Sequence, residues 1–321
     1  MNTILAELEK IGIVPVIKID DAEKAVPLAK ALMAGGIPCA ELTFRTAQAE
    51  DAIRRIAKEV PEMLTGAGTV LTIDQVDRAV DAGARFIVSP GFNPKVVEYC
   101  VRKGIVIAPG CANPSDVEQA LEMGLEAVKF FPAEQAGGLE YLKAISAPYP
   151  NLKFMPTGGI NAGNIARYIA FDKIIACGGS WMAGADLINA GEFEKITALS
   201  REAVLSLLDF SLAHIGINAG ADTKAAQTAQ LLSALFGFRL REGSASVFAG
   251  ETIEIVKSAA AGTHGHIAIG TNSITRAIAW LQRNGVAVDN AGIHKNAQGS
   301  LVVYLKEEIL GFAVHLLQIK K

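Results

Sequence analysis

The sequence lacks the features that mark several common classes of protein. Its formal net charge of −3 over 321 residues provides no basic surface for nucleic acid or an anionic membrane. No apolar run approaches the ~20 residues that a membrane-spanning helix needs. The amphipathic start, with Leu5, Leu8 and Ile11, does not resemble a signal peptide. We therefore expect a cytoplasmic protein whose partners are small molecules and other subunits, with neither nucleic acid nor a membrane among them.

Cysteine and histidine are scarce, and their positions restrict the chemistry. The four cysteines show no metal-type spacing, and most lie in apolar, strand-like runs, where a free thiol packs as a small hydrophobe. They are Cys39, Cys100, Cys111 and Cys177. We expect buried, inert thiols. All five histidines lie at or after position 214, so a carboxylate is the expected proton carrier in the part of the chain that precedes them.

From Ile13 to Ser180 one pattern repeats: a short apolar run, a turn with Gly or Pro, and a segment with helical periodicity. This order is typical of α/β proteins. The predicted strands are Ile13–Ile19, Pro38–Phe44, Leu64–Val70, Phe86–Gly91, Val106–Cys111, Ala127–Pro132, Phe154–Gly159 and Ile174–Ser180. Because these runs are apolar on both faces, as buried parallel strands require, they favour a (β/α)8 TIM barrel over an open sheet.

Helical segments separate the predicted strands. They include Ala22–Ala34, Ala47–Glu59, Ile73–Ala82, Pro94–Lys103, Pro114–Gly124 and Ala162–Ala170, and a helix from about Gly191 to Leu208 completes the barrel. The character of the sequence changes near Asp209. Because 321 residues exceed the usual size of a single core, we predict a barrel domain over residues 1–208 and a smaller domain over residues 209–321.

The second predicted domain contains an internal repeat. The segment Ala213–Ile217 (AHIGI) is echoed by Gly265–Ile269 (GHIAI), and each precedes a predicted helix, Thr223–Gly237 or Ser273–Gly285. More strand-like runs follow each helix. We therefore predict an α+β domain of two βαβββ modules.

One lysine lies within an apolar strand of the predicted barrel. Lys129 belongs to the run Ala127–Pro132 (AVKFFP). Burial disfavours the charged form of a lysine and so supplies the free amine that forms an imine with a keto acid. The position equally suits a lysine that reaches solvent at the barrel mouth or forms an ion pair. Since Lys18 and Lys153 also lie in or beside predicted strands, position alone does not select the nucleophile.

Six motifs around these lysines occur in order and resemble those of a known enzyme family. They are ELTFRT from Glu41, GAGTV from Gly66, SPG from Ser89, KFFPAE from Lys129, PTGGI from Pro156 and GGSW from Gly178. Together they make residues 5–207 similar to the 2-keto-3-deoxy-6-phosphogluconate (KDPG) aldolase family, whose members often also act on 2-keto-4-hydroxyglutarate (KHG). Any one motif is weak, and their order carries the resemblance.

By this resemblance Lys129 is the Schiff-base lysine, and Glu41 is the general acid/base that acts through a bound water. Burial in an apolar strand favours the protonated form of a carboxylate, which suits that role. The resemblance assigns Arg45 and Thr69 to the substrate carboxylate, a task for which a planar bidentate donor is suited. A plain ion pair between Glu41 and Arg45, a salt-bridged Arg45 at the surface and an ordinary strand residue at Thr69 are the alternatives.

Glycines after the seventh and eighth predicted strands mark a phosphate site. They allow backbone N–H groups to approach an anion, and a helix predicted to begin at Trp181 adds its N-terminus. The candidate residues are Thr157, Gly158, Gly159, Gly179 and Ser180. Simple turns also contain such glycines, and the pattern does not distinguish one phosphorylated ligand from another.

The resemblance implies a class I aldolase that cleaves KDPG to pyruvate and glyceraldehyde 3-phosphate, or KHG to pyruvate and glyoxylate. Another 2-keto-3-deoxy sugar acid is the alternative substrate. This route needs no metal or organic cofactor. Phe131 and Pro90 are expected to form an apolar wall beside the imine, although packing alone explains both. The family forms trimers, so a homotrimer is implied by resemblance.

The second domain resembles the vicinal-oxygen-chelate superfamily, the fold of glyoxalase I and extradiol dioxygenases. By this resemblance four residues that face into a cup hold a divalent metal such as Zn²⁺, Fe²⁺ or Ni²⁺. These are His214, Glu254, His266 and His315. Strand alternation places His214 on one face with Gly216 and His266 on one face with Ala268, small neighbours that leave room for a ligand.

The last of these positions commonly carries Glu in glyoxalases, and here it is His315. A decayed copy is therefore the alternative, a non-catalytic module for binding or assembly whose histidines are core or surface residues. His264 and His294 are expected to be exposed. The sequence predicts a possible metal site in this domain and leaves its ligand open.

Overall fold

The computed structural model describes residues 2–258, 260–289, 291–296 and 299–319. The chain divides into two compact units, Met1–Leu207 and Leu208–Lys321. Within the described ranges, no helix has the length and apolar character needed to cross a membrane.

The first unit is built from short parallel strands. They are β1 (Ile13–Ile17), β2 (Cys39–Thr43), β3 (Leu64–Gly68), β4 (Phe86–Val88), β5 (Val106–Ala108), β6 (Ala127–Phe130), β7 (Lys153–Pro156) and β8 (Cys177–Gly179). Six of them form one sheet in the order β5-β4-β3-β2-β1-β8, and β6 pairs with β7. Isolated parallel bridges join Gly110 to Lys129 and Thr157 to Gly178. The result is a curled parallel sheet, and its strands β2 and β3 are buried at every position.

Helices alternate with these strands. They are α1 (Thr3–Ile11), α2 (Ala25–Ala34), α3 (Ala49–Glu59), α4 (Ile73–Asp81), α5 (Pro94–Lys103), α6 (Pro114–Glu122), α7 (Gly138–Ser146), α8 (Ile165–Ile169), α9 (Ala185–Ala190) and α10 (Phe193–Leu208). Local chemistry sets several of their starts. The side chains of Thr72, Asn93 and Asn113 accept hydrogen bonds from the first-turn amides of α4, α5 and α6. Each such cap stabilises a helix by about 1 kcal/mol.

The predicted strands are placed correctly but extended too far. The strand predicted to end at Gly91 ends at Val88, and the one predicted to end at Cys111 ends at Ala108. The Gly- and Pro-rich residues that follow leave the sheet and form loops at the carboxyl ends of the strands. The helix predicted to begin at Trp181 is wrong, because residues 181–183 form turns and α9 begins at Ala185.

The cysteines behave as small core residues. All four are free and buried. Burial raises the pKa of the Cys100 thiol to about 11 and that of Cys111 to about 12, so neither thiol ionises near neutral pH. The expectation of buried thiols is confirmed, and the raised pKa values of Cys100 and Cys111 agree with the expectation that they are inert.

The second unit contains one mixed sheet. Its strands are β9 (Ser211–Asn218), β10 (Leu240–Glu242), β11 (Ser246–Ala249), β12 (Ile253–Val256), β13 (Gly265–Thr271), β14 (His294–Lys295), β15 (Leu301–Tyr304) and β16 (Phe312–Gln318). They lie in the order β10-β11-β12-β9-β13-β16-β15-β14. Strand β9 pairs parallel with β12 and antiparallel with β13, which in turn pairs parallel with β16.

Two helices accompany this sheet, α11 (Asp222–Phe236) and α12 (Ile274–Arg283). Small residues of α11 allow close packing, because Ala225 and Ala229 lie against Val247 and Ile255 in one buried cluster. This packing occupies one face of β11 and β12. The alternate residues of those strands, Phe248 and Glu254 among them, therefore lie on the opposite face.

Candidate functional site

Lys129 and Glu41 meet in the interior of the first unit. Lys129 lies in β6 and Glu41 in β2, and Lys129 Nζ is 3.5 Å from Glu41 Oε1. Their side chains are only 7% and 1% exposed. The predicted nucleophile and the predicted acid/base are therefore within reach of one another in an environment that excludes most water.

Glycines of β3 make room for the Glu41 carboxyl group. A Cβ at Gly68 would lie 2.0 Å from Glu41 Oε1, so any side chain at this position would collide with the carboxyl group. Neither Glu41 oxygen has a hydrogen-bond partner among the described residues. Leaving a buried polar group unsatisfied costs free energy, and such sites are often functional. The arrangement suits a group that binds a water or a reacting oxygen.

The alternative pairing of Glu41 with Arg45 is not observed. The Arg45 Nε group instead donates a hydrogen bond of 3.1 Å to Thr43 Oγ1, and the Thr43 hydroxyl donates to the carbonyl of Ile17. Arg45 is exposed. Because the Thr43 hydroxyl engages only Nε, the outer edge of the guanidinium remains available for an anion.

Burial distinguishes Lys129 from the two other strand lysines. The ammonium of Lys18 is 2.7 Å from Asp20 Oδ1, and its side chain is 45% exposed. Lys153 is 3.2 Å from Glu9 and donates to the backbone carbonyl of Asp172. Both have the partners of ordinary surface lysines, so the structure favours Lys129 where the sequence pattern left three candidates.

The other predicted contacts lie in loops after the strands. Lys129 Nζ is 5.3 Å from the centre of the Phe131 ring, so Phe131 is beside the amine. Thr69 has φ 55°, a left-handed conformation that is uncommon for a residue with a side chain. Such strain often lies at functional sites. Pro90 is half-buried, and its carbonyl is so close to Gly110 that a Cβ there would lie 2.0 Å away.

The two glycine-containing loops of the predicted phosphate site are adjacent. Thr157 and Gly178 form a parallel bridge, and a Cβ at Gly178 would lie 2.3 Å from Thr157 Oγ1. Gly158 and Gly159 have φ values of 101° and 80°, which favour glycine. Gly179 lies against the Trp181 ring, where a Cβ would lie 2.0 Å away, and Ser180 is exposed. The structure thus brings together all five residues predicted for this end of the substrate.

Glu134, which was not among the predicted site residues, supports the loop at Gly158 and Gly159. The Glu134 amide donates to the Gly158 carbonyl, and its side chain lies where a Cβ at Gly159 would be 2.7 Å away. The carboxylate accepts hydrogen bonds from Arg167 at 3.0 Å and from the Tyr168 hydroxyl. Burial, together with the bond to Glu134, raises the pKa of Tyr168. Glu134 ends the KFFPAE motif, a signal that had no assigned role.

Three side chains of the second unit form a compact cluster. His214, Glu254 and His266 each offer one ligand atom, and these atoms lie within 4.8 Å of one another. Glu254 Oε2 is 3.3 Å from His214 Nε2 and 3.0 Å from His266 Nε2, and the two imidazole nitrogens are 3.1 Å apart. The histidines predicted from strand alternation therefore do face one point.

Small residues alternate with these ligands across the sheet. Gly216 lies in register between Glu254 and His266, and Ala268 lies in register beside His214. The sequence suggested that this glycine leaves room for a ligand, but it does not. A Cβ at Gly216 would lie 2.1 Å from His266 Cε1, so this space is filled by the imidazole ring itself.

His315 lies beside this cluster. Its ring centre is 5.1 Å from that of His266 and 4.8 Å from that of Tyr304, and it is buried. Burial lowers the pKa of His315 to about 3, so the ring is neutral. Three of the four predicted ligands therefore converge, and His315 as the fourth ligand stays a prediction. His264 and His294 are exposed as predicted.

The protonation states of the cluster fit a divalent cation. Burial lowers the pKa of His214, which keeps the imidazole neutral. Burial opposes ionisation of Glu254, but hydrogen bonds from His266 and Ser246 outweigh it and lower its pKa. Two imidazoles and one carboxylate are a donor set for Zn²⁺, Fe²⁺ or Ni²⁺. The Nδ1 atom of His266 has no partner in the described part of the chain, so no neighbour there accepts the Nδ1–H that a metal-bound ring would donate.

Known proteins resemble the first unit. The family model for KDPG and KHG aldolase matches residues 4–199. A 2-dehydro-3-deoxy-phosphogluconate aldolase from Treponema pallidum is 50% identical over 202 residues, covering 63% of this chain and 96% of the relative. The KHG/KDPG aldolase of Escherichia coli strain K12 is 45% identical over 192 residues, or 60% and 90%. A KDPG aldolase structure from Legionella pneumophila, with pyruvate captured as a covalent carbinolamine, is 40% identical with a TM-score of 0.61 and covers 63% of this chain and 98% of its own.

Proposed function

Because the chain belongs to the KDPG and KHG aldolase family and is an aldehyde-lyase, we propose that its first unit cleaves KDPG to pyruvate and glyceraldehyde 3-phosphate, or KHG to pyruvate and glyoxylate. The buried pair of Lys129 and Glu41 is the observation that carries this proposal. The carbinolamine in the Legionella relative supports it, since that adduct precedes an imine. Another 2-keto-3-deoxy sugar acid is the second candidate substrate.

The chemistry follows from the positions of these two groups. The Lys129 amine adds to the C2 carbonyl, and Glu41, acting through a water, delivers the proton with which the C2 oxygen leaves as water. The iminium then accepts the electron pair of the C3–C4 bond, while the C4 hydroxyl loses its proton and becomes an aldehyde. Protonation of the enamine at C3, followed by hydrolysis, releases pyruvate and restores the amine. This route needs neither a metal nor an organic cofactor.

Each end of the substrate has its own candidate contacts. Arg45 and Thr69 bind the carboxylate common to all these substrates, and Phe131 and Pro90 form the apolar wall beside the imine. The loops at residues 157–159 and 179–180 bind the phosphate of KDPG through backbone N–H groups and the Ser180 hydroxyl. Glu134 positions the first of these loops from beneath Gly159.

Changes in the phosphate loops are expected to impair only the phosphorylated substrate. Ser180→Ala removes a hydrogen bond to an anion, worth ~1.5–3 kcal/mol, so kcat/KM for KDPG should fall about tenfold to a hundredfold while that for KHG is unchanged. Gly159→Val should have a larger effect in the same direction, because its side chain would displace Glu134. Steady-state kinetics with both substrates test this.

Arg45→Ala is the matched control, because it should lower kcat/KM for both substrates alike by weakening the contact with the carboxylate that they share. Equal losses for KDPG and KHG in the Ser180 and Gly159 variants would contradict the phosphate assignment.

For the first unit we propose a more specific architecture than a curled parallel sheet. The bridges on either side of the β6–β7 pair support a closed (β/α)8 barrel, whose catalytic loops follow the carboxyl ends of the strands. Family resemblance also supports a homotrimer. We propose that residues 1–208 form the aldolase domain and that the protein is cytoplasmic.

For residues 209–321 we propose two βαβββ modules of the vicinal-oxygen-chelate type with one divalent metal. Three residues would hold the ion, namely His214, Glu254 and His266. A bound cation supplies Lewis acidity toward a ligand oxygen. The competing proposal is a non-catalytic module for binding or assembly. Convergence of the three donor atoms within 4.8 Å of one another favours the metal.

Metal removal is expected to leave aldol cleavage intact. The proposed ligands all belong to the second unit, whereas imine chemistry uses Lys129 and Glu41 of the first. Purified protein should contain up to one divalent ion per chain by elemental analysis, and the double variant His214→Ala, His266→Ala should contain none.

His264→Ala serves as the control, because this exposed histidine is outside the cluster. Absence of metal after reconstitution would favour the assembly module, and loss of aldolase turnover on chelation would contradict the separation of the two sites.

A further inference from the structure

A cavity of about 400 Å³ lies over the histidine cluster of the second unit. This is the size of pocket that takes a small organic molecule. Its lining combines the cluster with aromatic and aliphatic side chains and with one guanidinium. The members outside the cluster that matter here are Arg241, Phe248, Tyr304, Val302 and Leu317.

Sheet register places the guanidinium on the face of the cluster. One row of cross-strand pairs runs through adjacent strands, from β10 to β13. Its members are, in order, Arg241, Phe248, Glu254, Gly216 and His266. Directly opposed residues in a sheet project from the same face, so Arg241 shares the cavity with the candidate metal ligands at a fixed position along the row.

The environment of Arg241 is that of an unneutralised cation held in place. Its guanidinium lies 4.4 Å from the centre of the Phe248 ring, and no carboxylate of the described residues forms an ion pair with it. Glu254 is engaged by the two histidines and Ser246.

Stacking on Phe248 leaves the N–H edges of the guanidinium free. A planar guanidinium that is held flat binds a carboxylate through two parallel hydrogen bonds with little further loss of freedom. The lining also contains the Tyr304 ring and the aliphatic Val302 and Leu317, alongside the polar side chains of Asn296 and Ser300. A single guanidinium beside aromatic and aliphatic side chains matches a monoanionic acid with an apolar body better than it matches the more highly charged phosphate.

We propose that this cavity is a binding site for a small organic acid, whose carboxylate pairs with Arg241 and whose apolar body lies against Phe248 and Tyr304. The proposal deepens the metal-site proposal, because the acid occupies the same cavity, but its recognition element is Arg241 and not the ion. Glu251, exposed and also part of the lining, opposes the anion.

Benzoate is a suitable probe, since it has no keto group and forms no imine with Lys129. Titration calorimetry on the full chain should show that benzoate binds more tightly than neutral benzamide and inorganic phosphate. Arg241→Gln should weaken benzoate about tenfold or more, as expected for loss of a charge-assisted pair. Arg239→Gln is the matched control, because this arginine is exposed on the same chain segment outside the cavity lining. Glu251→Gln should tighten binding.

Several outcomes would overturn the proposal: no benzoate binding, equal binding by the Arg241 variant, equal binding of benzamide, or tighter binding of phosphate. Metal content is measured on every sample, and the titration is repeated after chelation. If the protein contains no metal even after reconstitution but still binds benzoate in a way that depends on Arg241, this proposal stands and the metal-site proposal fails. If the wild-type protein contains metal but Arg241→Gln does not change benzoate binding, the metal site stands and the acid-binding proposal fails.

Discussion

Lys129→Ala is expected to abolish both aldol cleavage and trapping by borohydride. Wild-type protein incubated with pyruvate and borohydride should gain one reduced adduct per chain by intact mass, located on Lys129 by peptide mapping. The variant should gain none, because the buried amine next to Glu41 is the proposed nucleophile. Lys18→Ala and Lys153→Ala should form the adduct normally, since both lysines have ordinary surface partners.

Stability needs a separate check, because Lys129→Ala leaves the buried Glu41 carboxylate without its cation. Removing one partner of a buried pair costs ~3–5 kcal/mol. The double variant Lys129→Ala, Glu41→Gln removes both charges and should recover part of that stability in thermal denaturation while still forming no adduct. An adduct on Lys18, or trapping by the folded double variant, would end the imine assignment.

Glu41→Gln is expected to reduce turnover by ~10²- to 10⁴-fold, the usual contribution of a general acid/base. The amide has the shape of the carboxylic acid and so fits the space left by Gly68, but it neither takes nor gives a proton. KM should change little, because the proposed contacts of Arg45 and Thr69 with the substrate carboxylate are unchanged. A coupled assay for pyruvate measures both constants.

Borohydride trapping of Glu41→Gln separates its role from a structural one. The adduct on Lys129 should still form, but more slowly, because the amine remains and only proton delivery is lost. Glu134→Gln is a useful comparison, since that carboxylate lies by the phosphate loop and should affect KM for KDPG before it affects kcat. Full turnover by Glu41→Gln would contradict its role as proton carrier.

The strands of the first unit could be predicted because each is a short apolar run, and several of these runs end in Gly, Pro or Thr. Their ends could not, since Ser89, Pro90 and Gly91 continue the apolar composition but leave the sheet after Val88. Composition does not reveal where the backbone stops pairing. The helix predicted at Trp181 failed for a similar reason, because the Trp181 ring packs against Gly179 and the backbone turns before α9 begins.

The identities of the candidate site residues could be predicted from the sequence, but most of the contacts between them could not. Lys129 and Glu41 stand out because charged residues are rare in buried strands, yet only the fold brings β2 and β6 face to face. The support from Glu134 depends on Tyr168, which lies 34 residues later in the chain. A contact of this separation leaves no periodic signal in the sequence.

In the second unit, strand alternation correctly placed His214 and His266 on one face, but it gave no distance along the strand direction. His315 shares that face, in one row with Ala268 and His214, and alternation does not reveal whether its ring joins the other three. Arg241 was missed because an exposed arginine on a short strand has no special pattern. Its importance depends on pairing with Phe248.

The origin of the three cluster residues links this site to the pairing of the two halves of the second unit's sheet. His214 and Glu254 come from β9 and β12, whereas His266 comes from β13, and the three meet only after β9 pairs antiparallel with β13. Neither half of the sheet holds the full set by itself. An ion that binds only the joined halves would favour the native state by mass action, by about 2.7 kcal/mol at a free concentration of 100 times Kd. A bound ion would then stabilise the pairing of β9 with β13, and metal content would indicate that the two halves of the sheet have paired.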